Sequence, residues 1–432
     1  MKKRRLKKSI KLFFIFILVI SFLLFSYLFF IKDNSEKPVD SQTPSDNPNN
    51  GESTDNPFIE NPTTEITYLN KVTYTKDLDD EKLKVIVDFL DTYYKSIKEL
   101  KEYDMTKYFV SSTSEDALIN QTALSLLIDI RKLKPNDLRM TSAKYDIDII
   151  NVVANDDEVD IELLENSYVR FAFMNDIESK VYNVKNKFKL KKVNGEYKIA
   201  NYSKVKDFYV MITDKYKSGG QSQLDEIKND YLSIVNKKIV TDRSNYQNFL
   251  NNTGITRKTC DHDYDRSSAL NYALNWVNKR NSEWTTFSSN CQNYASQVVY
   301  NGGVIMDYTG NANNNLQWKF YSSFYNVEQK PSGYVYTWTY VPYFYEYAKN
   351  NTGSGLCADV DVNLYYAEAG DIIHVGTSGP TRHALVVIGS YKKDGQVVDI
   401  LVNSNTVDLE NYPISAYAYP YISLIKVYGW ND

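Results

Sequence analysis

The chain has 432 residues, with 50 Lys and Arg against 54 Asp and Glu and a formal net charge of −4, so bulk electrostatics give no reason to expect a nucleic-acid partner. That length accommodates a membrane anchor and two folded domains. Three cysteines, Cys260, Cys291 and Cys357, are too few and too odd in number for a disulfide framework, and leave room for one disulfide and one free thiol.

Seven of the first eleven residues are Lys or Arg, and residues 12–31 then run twenty positions without a charge. At about 1.5 Å per helical residue this spans a hydrocarbon core. Residues 27–31 stay bulky up to Lys32, where a cleaved signal peptide would carry small residues, so residues 1–32 are expected to be a basic cytoplasmic tail and an uncleaved signal anchor. The positive-inside bias then places the rest of a single-pass protein outside the cell membrane. Residues 33–64 are mostly Asn, Pro, Ser, Asp and Thr, a composition that cannot offset its ordering entropy, and a disordered spacer is expected.

Residues 65–217 carry helical stripes first and alternating strands afterwards. Leu83, Val87, Leu90 and Tyr94 mark one helix; Ala117, Ala123, Leu124, Leu127 and Ile128 mark a second that Pro135 ends. Alternating runs follow at residues 145–149, 159–163, 181–190 and 197–200, the last two joined at Asn194-Gly195 as a hairpin. Helices followed by an antiparallel meander make an α+β domain. The element order resembles the nuclear transport factor 2-like superfold. No cluster of His, Cys or carboxylates converges here, so a positioning or interaction module is expected. The break at residues 218–222 and a charged helix up to Leu250 then form a connector over 218–255.

From 256 to 432 the character changes to Tyr, Trp and Asn. Ala269, Tyr272, Ala273, Trp276 and Val277 form a helical stripe, and strands are expected at residues 370–375, 383–389, 399–405 and 422–428. The run at 383–389 is apolar on both faces, as a central strand should be. Between these lies the stretch from Ser289 to Gly303. Asn290 is placed to accept a hydrogen bond from a first-turn N–H, and Gly302 to close the helix in a left-handed conformation, so Cys291 begins it. There the unpaired N–H groups favour a thiolate. Asn293 and Gln297 share a polar face.

A cysteine at a helix start followed by a histidine at a strand start is the layout of a thiol hydrolase, with an imidazole to take the thiol proton and return it to the leaving amine. Of the three histidines, His383 opens a strand after a flexible stretch and is the expected base. His374 reads as a satisfied strand residue. His262, between two carboxylates, reads as a solvated turn, and neither a metal nor another cofactor is expected.

Several short motifs, in order, carry a family resemblance: Tyr264-Asp265-Arg266, Asn290-Cys291-Gln292-Asn293-Tyr294-Ala295-Ser296-Gln297 with Gly302-Gly303, Thr337-Trp338-Thr339, Gly370-Asp371-Ile372-Ile373, Arg382-His383-Ala384-Leu385 and Ser404-Asn405-Thr406. Residues 260–430 thereby resemble the bacterial putative amidase domain, a distant relative of papain-like NlpC and CHAP cysteine hydrolases. The resemblance implies a papain-like α+β hydrolase domain. Its nucleophile would be Cys291, its base His383 and its orienting residue Asn405, with Asn403 the rival for the last role, and Gln297 and Trp338 would be substrate-binding. Asn290 stands where the family commonly has Asp, and Asn405 where it often has His. The address suggests cell-wall peptide or another amide as substrate. The competing reading is a non-catalytic wall- or protein-binding module that uses the aromatic-rich surface between Trp318 and Tyr347.

Overall fold

The computed structural model describes residues 71–74, 78–155, 157–205, 207–252, 257–310, 316–320, 334–377, 379 and 381–432. The expected anchor and spacer lie outside the described residues. Among the described residues no helix is long and apolar enough to cross a membrane. All of them belong to one contact unit, Pro57–Asp432.

Helix α1 (Asp80–Glu99) starts where Asp79 accepts from the Lys82 N–H, and buries Ile86, Phe89, Leu90 and Tyr94. The stripe is therefore rotated slightly from the expected one, with Leu83 and Val87 half-buried at its edge. Helix α2 (Glu115–Leu133) is capped by Ser114 and stops two residues short of Pro135, whose ring disfavours helical geometry before it. Strand β1 (Lys71–Tyr74) pairs in parallel with β2 (Met140–Asn155). Strands β2, β3 (Glu158–Phe171), β4 (Ser179–Val193) and β5 (Glu196–Lys204) form the antiparallel meander. Along β3 buried and half-buried residues alternate without a break, the signature of a sheet with one face on a core. Asn194 and Gly195 make the β4–β5 turn with φ of 52° and 88°, which a two-residue primed turn requires.

Helix α3 (Asp207–Gly219), which the sequence reading did not foresee, precedes α4 (Gln221–Leu250). The latter is packed along its first half through Leu224, Ile227, Tyr231 and Val235. The C-terminal region supplies strand β6 (His262–Asp263), helices α5 (Arg266–Trp276), α6 (Cys291–Asn301), α7 (Tyr336–Thr339) and α8 (Val341–Asn350), and strands β7 (Gly355–Val362), β8 (Ile372–Gly376), β9 (His383–Lys393), β10 (Gln396–Ser404), β11 (Asp408–Pro413) and β12 (Tyr421–Asn431). Helices and a mainly antiparallel sheet make the protein α+β.

The two regions share one sheet. Its order is β1-β2-β3-β4-β11-β10-β9-β8-β12-β6, with β5 on β4 and β7 on β12. The seam is the short pairing of β4 with β11, where Leu409 faces Val181. Side chains reinforce it: Lys180 meets Glu410 at 3.0 Å, Tyr182 donates to Glu410 at 2.6 Å, and Arg131 donates to the Tyr412 hydroxyl at 2.9 Å.

The C-terminal strands consequently have two differently covered faces. Ile372, Ala384, Val386, Ile425 and Val427 pack with α5, α6 and α8. Ile373, Val375, Leu385, Val387, Val402 and Leu424 belong to a second core that continues through the first region and α4. A disulfide joins Cys260 to Cys357 across 97 residues, and Cys291 is the free cysteine.

Candidate active site

Cys291 is the first residue of α6, as its motif implies, and is buried. Asn290 does not cap the helix in the expected way, because its side chain makes no bond to a first-turn N–H. Instead its Oδ1 accepts from the Phe287 N–H at 3.2 Å and the Asn293 amide at 2.9 Å, while its Nδ2 donates to Asn405 Oδ1 at 2.7 Å. The left-handed closing residue is Gly303, φ +96°, rather than Gly302. Gly302 is required for another reason: a Cβ there would stand 2.0 Å from the Tyr264 ring.

Helix α6 is buried on every side from Cys291 to Val299, so its polar residues need partners inside the protein. They form a connected network. Gln292 Oε1 pairs with His374 Nε2 at 2.8 Å and its amide donates to Ser296 Oγ at 3.2 Å. Ser296 donates to the Trp338 carbonyl at 2.8 Å and accepts from the Trp318 indole at 3.3 Å. The Trp338 indole donates to Asn293 Oδ1 at 3.0 Å. From Asn293 the chain runs through Asn290 to Asn405, whose Nδ2 donates to the carbonyls of Trp276 at 2.9 Å and Lys279 at 3.1 Å. Asn405 therefore ties the end of α5 to the start of α6, and this is where its side-chain bonds go.

Strand register decides where each histidine faces. His374 pairs with Ala384 and Val375 with His383, and opposed residues of an antiparallel pair point to the same side. Ala384 belongs to the core around α6 and Val375 to the other. His374 thus lies on the Cys291 face, bonded through the residue next to the thiol. His383 lies on the far face, paired through Nε2 with Ser404 Oγ at 2.8 Å and stacked on Tyr417 at 6.2 Å between ring centroids. The structure brings Cys291, Asn405 and His374 to one face, with His383 behind the sheet.

Burial, and the neighbouring charge of His383 when protonated, push His374 down to about 3. It is neutral at physiological pH. Its Nδ1 is buried and has no hydrogen-bond partner among the described residues. Asn403, the rival orienter, faces the α6 side and accepts from the Asn411 N–H at 3.0 Å.

The two residues expected to bind substrate are both buried. Trp338 is fully buried, stacked between Trp318 and Trp284 with centroid distances of 4.6 and 5.3 Å. Gln297 is also buried, its Oε1 accepting from Tyr272 at 2.7 Å, although it borders a small polar cleft with Arg280, Asn281 and Asn405. Asp371, from the Gly370-Asp371-Ile372-Ile373 motif, has structural partners. It is wholly buried and accepts from Arg266 at 2.9 Å, Lys426 at 3.0 Å and the Val427 N–H at 3.0 Å.

With that geometry in view, the family match falls on the same stretch. Residues 263–429 match the family described as putative amidase domain. This match supports a general amidase or hydrolase role. An uncharacterized protein of Bacillus subtilis, YhbB, is 33% identical over 150 residues, which cover 34% of this chain and 42% of that protein. The chain therefore spans less than half the length of that relative. Among solved structures, a putative scytalone dehydratase from Novosphingobium aromaticivorans is similar over 28% of this chain and 82% of its own, at 12% identity and a TM-score of 0.21.

Sequence reasoning missed Gln292, Ser404 and the side on which His374 faces. Both faces of β8 and β9 are buried, so apolar residues occupy both parities and the alternation that would have assigned the faces is absent.

Proposed function

We propose that the region matching the amidase family hydrolyses an amide bond through Cys291. The observation that carries this reading is that the one free cysteine among the described residues starts the buried helix α6 inside the matched stretch. The thiolate attacks the carbonyl carbon, the C–N bond breaks, the amine leaves with the proton held by an imidazolium, and water then hydrolyses the thioester. Of the two histidines His374 shares the nucleophile's face, while the burial that keeps its ring neutral also opposes the imidazolium this step needs. The family resemblance favours His383. Asn405 positions the loop before the nucleophile by holding Asn290.

An extracytoplasmic, membrane-anchored placement is part of the proposal. The Cys260–Cys357 disulfide supports it, since such bonds persist in oxidising compartments. In that setting cell-wall peptide amides are the substrate class. The finer fold reading, a nuclear transport factor 2-like first region and a papain-like second one, belongs to the same proposal.

A non-catalytic role keeps one observation in its favour. Trp318, Trp338, Phe344 and Tyr347 are buried, but Tyr336, Tyr340 and Tyr343 are exposed with their rings 5.4 to 6.0 Å apart. Acid-quenching the protein during turnover of peptidoglycan-derived peptides, followed by mass analysis, should find an acyl group on Cys291. Cys291→Ala should remove both the adduct and the turnover. Hydrolysis that survives Cys291→Ala overturns the enzymatic reading and leaves the binding one.

A further inference from the structure

The first region contains a charged group that the hydrolase reading does not use. Arg131, in the last turn of α2, is 4% exposed. One of its nitrogens, Nη2, donates to the Tyr412 hydroxyl at 2.9 Å, while Nε and Nη1 have no hydrogen-bond partner among the described residues. It makes no ion pair with a described carboxylate. Its guanidinium rests 5.6 Å from the centre of the Phe171 ring. By contrast Lys204, the other cation nearby, is paired with Glu165 at 2.9 Å.

Arginine stays protonated in proteins, so this cation cannot escape its burial by losing a proton. A buried cation with unmet donors is costly unless an anion joins it. Arg131 borders a cavity of about 90 Å³ walled mainly by apolar and aromatic side chains, among them Phe89, Leu124, Leu127, Tyr202 and Leu409. The far wall comes from residues 407–419 of the C-terminal region, including Tyr412 and Tyr417.

We propose that this cavity is a binding site for a small apolar carboxylate, its carboxylate on Arg131 Nε and Nη1 and its hydrocarbon body among the aromatic rings. A guanidinium edge and a carboxylate match in shape and can form two parallel bonds. The volume calls for a short chain: an apolar cavity of roughly 150 Å³ accepts the six carbons of benzene, so one of about 90 Å³ should take acids of about four to five carbons and exclude hexanoate and benzoate. Neutral analogues cannot meet the charge, and inorganic anions cannot fill the apolar end.

Thermal unfolding and calorimetric titration of the full chain with butanoate, 3-methylbutanoate, hexanoate and benzoate test this, each acid set against its primary amide and against chloride. Butanoate or 3-methylbutanoate should raise the unfolding temperature with concentration and bind at least tenfold more tightly than its amide. Arg131→Met should abolish that preference, and should fold, because it removes a buried unpaired charge while keeping most of the side chain's bulk. Leu124→Trp should block binding by filling the cavity with Arg131 intact, and it decides the matter should Arg131→Met not fold. Equal binding of acid and amide, equal stabilisation by chloride, unchanged binding in either variant, or no binding at millimolar acid would each overturn the assignment.

Discussion

The two faces of the β8–β9 pair carry one histidine each and are built from different material. On the α6 face, His374 sits in a network of amides, hydroxyls and indoles that contains no charged side chain from Gln292 to Asn405. On the opposite face, His383 meets Ser404 and Tyr417, within a core that runs on into the first region. The first arrangement is closed and local. The second depends on a segment more than 200 residues away in sequence, which means that the stability of the hydrolase sheet is not contained in the stretch that matches the amidase family.

The largest expected effect follows from that dependence. A chain beginning at Gln221 strips the first region from the far face and leaves β11 without its β4 partner, so it should fail to fold cooperatively. Circular dichroism against denaturant would show this, and a cooperative transition close to that of the full protein would mean that the two faces are independent.

Next comes the division of labour between the histidines. His374→Ala should lower amide turnover by about a hundredfold or more, the usual contribution of a positioned acid–base group. His383→Ala should lower it less than about tenfold and act chiefly on stability, since its ring packs against Tyr417. The reverse ranking in steady-state kinetics would transfer the base role to His383 and require the start of β9 to turn its side chain over.

The buried histidine also predicts how stability depends on pH. With a folded value of about 3 against 6.5 for the free group, the unfolded chain binds the proton first as pH falls, so stability declines from pH 6.5 towards 3. The upper bound is roughly 4–5 kcal/mol. Asp399, pushed up from 3.8 to about 6 by burial, acts in the opposite sense: its stabilising contribution is present below 3.8 and is lost as pH rises to 6. Denaturant midpoints for wild type and His374→Gln across pH 3.5 to 7 isolate the histidine, and identical curves would contradict its buried neutral state.

The smallest effect sharpens the edge of the α6 face. Asn405→Ala removes the link between Asn290 and the carbonyls of Trp276 and Lys279, and should cost about 1–3 kcal/mol of stability. Any kinetic loss should appear together with that destabilisation. A large fall in turnover at unchanged stability would instead restore Asn405 as the residue that orients the imidazole.

Much of this was legible beforehand. Apolar periodicity located α1, α2 and α5, and Asn194-Gly195 marked the β4–β5 hairpin because few residues accept two successive positive φ values. The motif around Cys291 put the cysteine at a helix start. Strands β7 and β11 escaped notice. Both are short and joined to the fold by non-local pairing, β11 to β4 across more than 200 positions, and pairing at that distance leaves no local signal. The buried roles of Trp338 and Gln297 were hidden for a related reason, since a polar or aromatic side chain reads the same in a cleft as in a satisfied core.

By itself, the sequence determined the elements with one exposed face, the position of the nucleophile candidate and the composition of the amino-terminal segments, because these depend on residue type and short spacing. Only the tertiary structure decided which histidine shares a face with Cys291, what Asn405 holds and that Arg131 lies without an anion beside an apolar cavity. Each of these depends on strand register or on the meeting of two distant segments. When both faces of a strand are buried, the period of two no longer says which way a side chain points, and only the neighbours assembled by folding can.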